Sequence, residues 1–349
     1  MSKIAILGDL HIGVRDGKSL FHDHFQKFFD DIFFPSCQSA GVDTVIQLGD
    51  TFDRRKFIDY GSLKRSKQYL FDRLENSGMT TYMIIGNHDI SLRNSLDINS
   101  PSLVLKEYDY ILPIISPIEL TKFGIVLFPW VCTENFNVCL DTLKTTKAEI
   151  CMGHWEIQGF MMNAGMTAKD GMTRGLFRKF DAVYSGHFHH RSSYDNIHYV
   201  GTPYQLTHMD TGNTKGFHIL DTETRDLEFI PNPYELFNKV VYDDKNSDPN
   251  EIDVTQFKDM FVKLIVREKT DFYKFDMFLD KLYNCGAYDI KVVEDVVDLT
   301  PSDIDEKIDI EDTVSILQHY VESSEVDVDK EMLSSFIKQL YLDALDVTL

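Results

Sequence analysis

At 349 residues, 43% hydrophobic and 26% charged, the chain has an ordinary globular composition and room for one large domain plus one or two small ones. Its formal net charge of -21 seems to argue against nucleic acid, but the acidity is uneven: residues 1–230 hold 28 Asp+Glu against 23 Lys+Arg, and residues 231–349 hold 28 against 12. The balance therefore neither supports nor excludes DNA, while five scattered cysteines with no CxxC pair argue against a structural zinc site and read as reduced, mostly buried thiols of a cytosolic protein. Lys3 is followed by only four apolar residues before Gly8, so a signal peptide is not expected. No stretch approaches the roughly 18 apolar residues of a membrane span.

In chain order, Lys3–Gly8 is the first predicted strand and Ser19–Ser39 a helix, with Phe21, Phe25, Phe28, Phe29, Ile32 and Phe33 close to a 3-4 repeat. Strand Asp43–Leu48, helix Tyr60–Asn76 and strand Thr80–Ile85 follow. This β-α-β-α-β order is that of a layered α/β domain with a largely parallel start. A helical turn is expected at Leu103–Tyr108, strands near Tyr110–Ile114 and Gly124–Phe128, a helix at Asp141–Thr145 and a strand ending at Met152. Residues 163–179 read as a loop or short-helix region. Strands near Asp181–Ser185, Ile197–Val200, Gly216–Leu220 and Leu227–Ile230 suggest a second sheet packed on the first.

Pro231-Asn232-Pro233 marks a boundary. Beyond it, Phe261–Arg267 alternates, Phe272–Tyr283 carries a helical stripe and Tyr288–Val293 alternates again, making a small strand-helix-strand domain over about residues 235–298. An acidic linker, Asp298–Asp309, leads to two amphipathic helices, Glu311–Glu322 and Asp329–Leu345, the second capped by Asp329.

Five of the predicted strands end alike. Gly8-Asp9-Leu10-His11, Gly49-Asp50-Thr51-Phe52-Asp53, Gly86-Asn87-His88-Asp89, Gly153-His154-Trp155 and Gly186-His187-Phe188-His189 each follow a short apolar run. A glycine at a strand end allows a tight turn with backbone close to whatever sits there. A lone His-x-His or Asp-x-His is usually surface or core. Five such turns in one chain deliver Asp, Asn and His to one sheet edge, where open α/β sheets place ligands. Two divalent cations about 3.5–4 Å apart need a bridging ligand and mixed oxygen and imidazole donors on each side. Asp50 is the natural bridge. Asp9 and His11 can turn toward one ion, Asn87 offers an amide oxygen to the other, and His154, His187 and His189 complete the shells. Carboxylate and imidazole without thiolate suit manganese, iron or zinc. His88 is placed for general-acid or transition-state-donor work, with Asp89 to orient it. The Arg54-Arg55-Lys56 cluster at the rim is a candidate phosphate-backbone contact, against the plain alternative of a solvated turn.

These five motifs together resemble those of the calcineurin-like metallophosphoesterases. Within that superfamily the chain is similar to the SbcD-type DNA-repair nucleases, in the branch that includes the nuclease subunits of T-even phage recombination endonucleases. Phe128-Pro129-Trp130, Gly153-His154-Trp155-Glu156 and Tyr199-Val200-Gly201-Thr202-Pro203 add to the likeness, which runs essentially the whole length. The resemblance implies an α/β fold: a β-sandwich flanked by helices (residues 1–231), a small α+β capping and DNA-binding domain (235–298) and C-terminal helices (310–347). It implies two manganese ions, one held by Asp9, His11, Asp50 and His189, the other by Asp50, Asn87, His154 and His187, with His88 as the catalytic histidine. It further implies 3'-to-5' exonuclease activity on duplex ends, endonuclease activity on single strands, and work in DNA repair and recombination. The implied partner is an SMC-like coiled-coil ATPase gripped by the C-terminal helices, in a 2:2 complex whose dimer contacts come from Tyr60–Asn76 and the Ser100–Tyr108 region, in the cytoplasm, or the host cytoplasm if viral. Many cellular relatives carry histidine where this chain has Asp53, which leaves a role for Asp53 open.

Two other classes stay in view. A serine/threonine or small-molecule phosphatase of the same superfamily would typically show Asp-Arg-Gly and Asn-His-Glu, where this chain has Asp53-Arg54-Arg55 and Asn87-His88-Asp89. A metal-free scaffold would have lost ligand positions, and here every one is filled.

Overall fold

The computed structural model describes residues 2–163, 166–168 and 171–294, together with Lys330 and Leu333. Apart from those last two residues, the linker and helices expected after residue 298 lie outside the described residues. The strands run, in chain order, β1 (Lys3–Leu7), β2 (Val42–Gln47), β3 (Thr80–Ile84), β4 (Ile111–Ile114), β5 (Ile118–Leu120), β6 (Ile125–Phe128), β7 (Ile150–Gly153), β8 (Met161–Asn163), β9 (Met166–Thr167), β10 (Ala182–Ser185), β11 (Ser192–Tyr194), β12 (Ile197–Tyr199), β13 (Gly216–Asp221), β14 (Leu227–Pro231), β15 (Phe237–Asp243), β16 (Phe261–Glu268) and β17 (Asp289–Glu294).

Two six-stranded sheets, β14-β13-β1-β2-β3-β4 and β11-β12-β10-β7-β6-β5, form the body. Strands β1 to β4 are mutually parallel, as are β12, β10, β7 and β6. Alternation along each strand decides what it faces. Ile4, Ile6, Ile46, Leu48 and Ile84 of the first sheet meet Ile125, Leu127, Ile150, Met152 and Tyr184 of the second in the layer between them. The alternate residues Ala5, Leu7, Val45 and Met83 face the helices outside. Both faces are covered, so β1 reads as an unbroken apolar run. On the second sheet, Val126, Phe128, Cys151 and Val183 pack outward against Cys139 and Leu143 of helix Phe136–Thr145.

The predicted helices over the first sheet are present but not uniform. Ser19–Phe28 continues through a π-helical segment, Phe29–Phe33, into Phe34–Ala40, and Tyr60–Ser66 passes through Lys67–Phe71 into Asp72–Ser77. The wider turn lets Phe28 and Phe33, five residues apart, both be fully buried. Phe29 of one such segment stacks on Tyr69 of the other, with centroids 5.7 Å apart.

Several expectations are corrected. β13 and β14 belong to the first sheet: β13 adds antiparallel to the free edge of β1, with Ile6 opposite His218, and β14 adds to β13. The turn expected at Leu103–Tyr108 is instead a helix at Ser100–Val104, capped by the Asn99 side chain, which accepts from the Ser102 N–H, and opened by Pro101 in its first turn. The helix expected at Asp141–Thr145 begins at Phe136. β5, β11 and β15 were not expected, and residues 163–179 contain β9 and a 3-10 turn at Arg174–Phe177.

Past Pro231, the last residue of edge strand β14, a separate three-stranded sheet, β15-β16-β17, is parallel throughout. Helix Phe272–Asn284 covers it through Phe275, Phe278 and Leu282, against Tyr242, Val262, Leu264 and Val266. Phe237 and Phe261, at its near end, pack on Phe21 with centroids 5.9 and 5.5 Å away. All five cysteines are free thiols, and burial pushes Cys37 and Cys139 up to about 12. No helix among the described residues is long and apolar enough to cross a membrane.

Candidate metal centre

β1, β2 and β3 in one sheet and β7 and β10 in the other deliver their carboxyl ends to one edge of the sandwich, and all seven predicted ligands converge there. The turns are tight. Gly49 has φ 103°, and a Cβ on it would lie 2.4 Å from His154 Nδ1; a Cβ on Gly86 would lie 2.2 Å from Asp50 Oδ1. His11 (φ 44°), Asp50 (φ 53°) and His187 (φ 85°) hold left-handed backbone that disfavours non-glycine residues. Three of the ligands thus sit on strained backbone.

Asp50 lies at the centre. Its Oδ1 accepts the His88 backbone N–H at 2.8 Å, and its Oδ2 is 3.3 Å from His154 Nε2 and 3.8 Å from His11 Nε2. To one side, ligand atoms of Asp9, His11 and His189 lie within 4.8 Å of one another, with His11 Nε2 3.0 Å from His189 Nε2. To the other, ligand atoms of Asp50, His154 and His187 form a group of the same size. There Asn87 Oδ1 is 2.9 Å from His154 Nε2 and 3.1 Å from His187 Nδ1. Asp9 is aimed by its own neighbour turn, both of its carboxylate oxygens lying 3.0 Å from the His187 backbone N–H.

The donor chemistry fits cations. His154 Nδ1 meets the Leu48 carbonyl at 2.7 Å; a carbonyl only accepts, so Nδ1 carries a hydrogen, and in the neutral ring Nε2 presents a lone pair. That lone pair faces two further acceptors, Asn87 Oδ1 and Asp50 Oδ2. Acceptors pointed at one another in a buried site need positive charge between them. Burial alone would lower the His154 pKa, but Asp50 and Asp9 outweigh it and raise it to about 9, so a proton on Nε2 answers the same cluster of acceptors that a cation would. Burial is the largest cause of the rise of Asp9 to about 6, opposed by His154 and reinforced by Asp50. Asp50 itself, despite burial, is held well below the usual carboxylate range by His154 and His88.

His88 sits half-buried at the rim, its Nδ1 2.6 Å from the Asp53 carbonyl and its ring edge-on to His11 at 4.9 Å. The expectation that Asp89 orients His88 is corrected. The Asp89 carboxylate accepts the backbone N–H groups of Gly86 (3.0 Å), Phe52 (3.1 Å) and Thr51 (3.2 Å), so it staples the second turn to the third. Asp53 takes the orienting place: its backbone holds His88, and its Oδ1 lies 3.3 Å from His11 Nδ1. Trp130 was seen in the sequence only as part of Phe128-Pro129-Trp130. Its ring packs on His187 and His154, with centroids 5.3 and 5.8 Å away. In the basic cluster, Arg54 pairs with Asp16 and lies over Phe57 at 4.9 Å, Arg55 is half-buried and Lys56 is exposed. Arg54, Phe57, Asp16 and Asp53 line a cleft of about 170 Å³ beside the centre.

A family profile for the calcineurin-like phosphoesterases matches residues 2–191 of the chain, the part that builds most of this sandwich and all of its donor set. The chain belongs to that family, hydrolases that use divalent metal ions. Among the proteins it is similar to are two nucleases. It is 31% identical over 348 residues to exonuclease subunit 1 of Enterobacteria phage T4, covering 98% of this chain and 99% of that protein. It is 25% identical over 265 residues to the SbcD subunit of the SbcCD nuclease of Staphylococcus epidermidis, covering 66% and 69% respectively.

Proposed function

We propose that the protein is the nuclease subunit of an SMC-like ATPase/nuclease complex that processes DNA ends in recombination and double-strand break repair. The observation that carries this reading is the convergence of acceptors on both sides of Asp50, in a chain matching a phage exonuclease subunit along its whole length. Asp9, His11, Asp50 and His189 would hold one manganese ion, and Asp50, Asn87, His154 and His187 the other. When bound, the two ions supply a hydroxide-like nucleophile and screen the phosphate oxygens. The chain's own groups do the rest. Asp53 and the His88 backbone contact to Asp50 hold the His88 ring at the rim, where the Nε2–H of the protonated ring gives its proton to the leaving oxygen as the P–O bond breaks. Lys56 and the Arg54 cleft contact the DNA backbone.

The activities proposed are 3'-to-5' exonuclease on duplex ends and endonuclease on single strands. The sheet of β15–β17 with its helix is proposed as the capping and DNA-binding domain, and residues 310–347 as the grip on the ATPase coiled coil. A homodimer through the two regions named above is supported by the exposure of Tyr60 (89%) and Leu103 (59%). The proposed place of work is the cytoplasm, that of the host for a phage protein.

The test is manganese-dependent cleavage of end-labelled linear duplex DNA by wild type and His88→Ser, with the ATPase subunit present and bound metals quantified. Cleavage by wild type, lost in a variant that keeps two ions, is the expected result. Wild type that leaves DNA intact while hydrolysing phosphomonoesters would establish a phosphatase instead.

A further inference from the structure

Behind His189 lies a buried ion pair that none of the five motifs contains. Lys215 and Asp210 are 3% and 2% exposed, and Nζ lies 2.5 Å from Asp210 Oδ1. The same ammonium donates to the backbone carbonyl of His189 at 2.8 Å, which also accepts the Thr202 N–H at 3.1 Å. Asp210 is anchored in turn: its Oδ2 accepts the N–H groups of Leu206 and Thr207, both at 2.9 Å, and its Oδ1 is 3.4 Å from His190 Nε2. Taking two charges out of water is costly, and apolar residues of similar volume often stabilise a fold as well. The pair's placement is therefore better explained by what it touches, the peptide of an ion-facing residue. The His189 side chain is also 27% exposed, whereas that of His154 is fully buried.

We propose that Lys215 and Asp210 are positioning residues for His189, fixing through its carbonyl the turn that presents its imidazole to the ion shared with Asp9 and His11. The role rests on the two-ion reading of the centre. His154 is aimed by a hydrogen bond from its own ring, from Nδ1 to the Leu48 carbonyl just past β2. His189 gains support one step back, from a charged side chain on its peptide.

The test is calorimetric titration of manganese into the metal-stripped full-length protein, with thermal unfolding followed in parallel. Wild type is expected to take up two ions. Lys215→Met should weaken one of them by roughly 10- to 100-fold, the range seen when a supporting partner of a metal ligand is removed. The other ion should bind as in wild type. His189→Ala should give the same one-ion signature, and Lys215→Arg should restore most of the affinity. Should Lys215→Met fail to fold, Asp210→Asn, which keeps the side-chain shape, is expected to weaken the same ion. Two wild-type affinities in a folded Lys215→Met, or equal weakening of both ions, would overturn the role. Wild type binding fewer than two ions would overturn the two-ion reading itself, and this role with it.

Discussion

The two halves of the centre are built differently. On the side of Asn87, His154 and His187, support comes from main chain and dense packing: His154 is fully buried, its tautomer set by the Leu48 carbonyl, and Trp130 covers two rings. On the side of Asp9, His11 and His189, charged side chains take a larger part. Asp53 stands against His11, and the Lys215–Asp210 pair stands behind His189. One half is a by-product of forming the two sheets. The other depends on groups that can be changed one at a time, and Asp50 joins them.

That difference can be broken at its centre first. Asp50→Ala removes the group common to both halves, and metal analysis of the purified variant should find neither ion tightly held, with hydrolysis down by at least about 10⁴-fold. His88→Ser, outside both halves, should lower kcat by about 10²- to 10⁴-fold, the usual worth of a general acid, with metal content unchanged.

Acid acts on the scaffold beneath both halves. Burial and Lys27 lower the His24 pKa to about 4, and burial with Arg191 and His198 lowers that of His218 to about 4. The unfolded chain, with histidine near 6.5, then binds more protons than the folded one between about pH 6.5 and 4. Stability is whole above that window and falls as pH drops through it, by roughly 3 kcal/mol per histidine. Urea unfolding at stepped pH should show this slope, and His24→Phe should make it shallower.

Asp53→Ala should weaken only the ion on the His11 side, by about 10- to 100-fold, leaving the Asn87 side as it was. A loss shared by both ions would erase the distinction between the halves. Smallest of all, Arg54→Ala should raise KM for duplex DNA only a few-fold and flatten its salt dependence slightly, as expected for one phosphate contact already shared with Asp16. A change in kcat without one in KM would place Arg54 in the chemistry instead.

The ligands of both halves are legible in the sequence. The five glycine-ended turns can be read directly because each is local: an apolar run, a glycine, then donors. Sheet membership is not local. β13 carries the same alternation whether it extends β1 or joins the second sheet, and only the open edge of β1 decides. β5 and β11 are three-residue edge strands, too short for a period to register, and in β15 the polar Asn238 and Lys239 interrupt the pattern. Asp89 and Asp53 show the same limit at the site. Asp89 follows His88 in one motif and Asp53 ends another, but the carboxylate nearest in sequence is taken up by three backbone N–H groups, and the other reaches His11 across two turns. Lys215 is 26 residues from His189 and could be found only once the chain was folded.

The most direct test of the two-halved centre is anomalous diffraction at the manganese edge from crystals soaked in that ion. Two peaks about 3.5–4 Å apart are expected astride the Asp50 carboxylate, one against His11 and His189 and the other against Asn87, His154 and His187. A single peak, or two that leave Asp50 on one side, would contradict it.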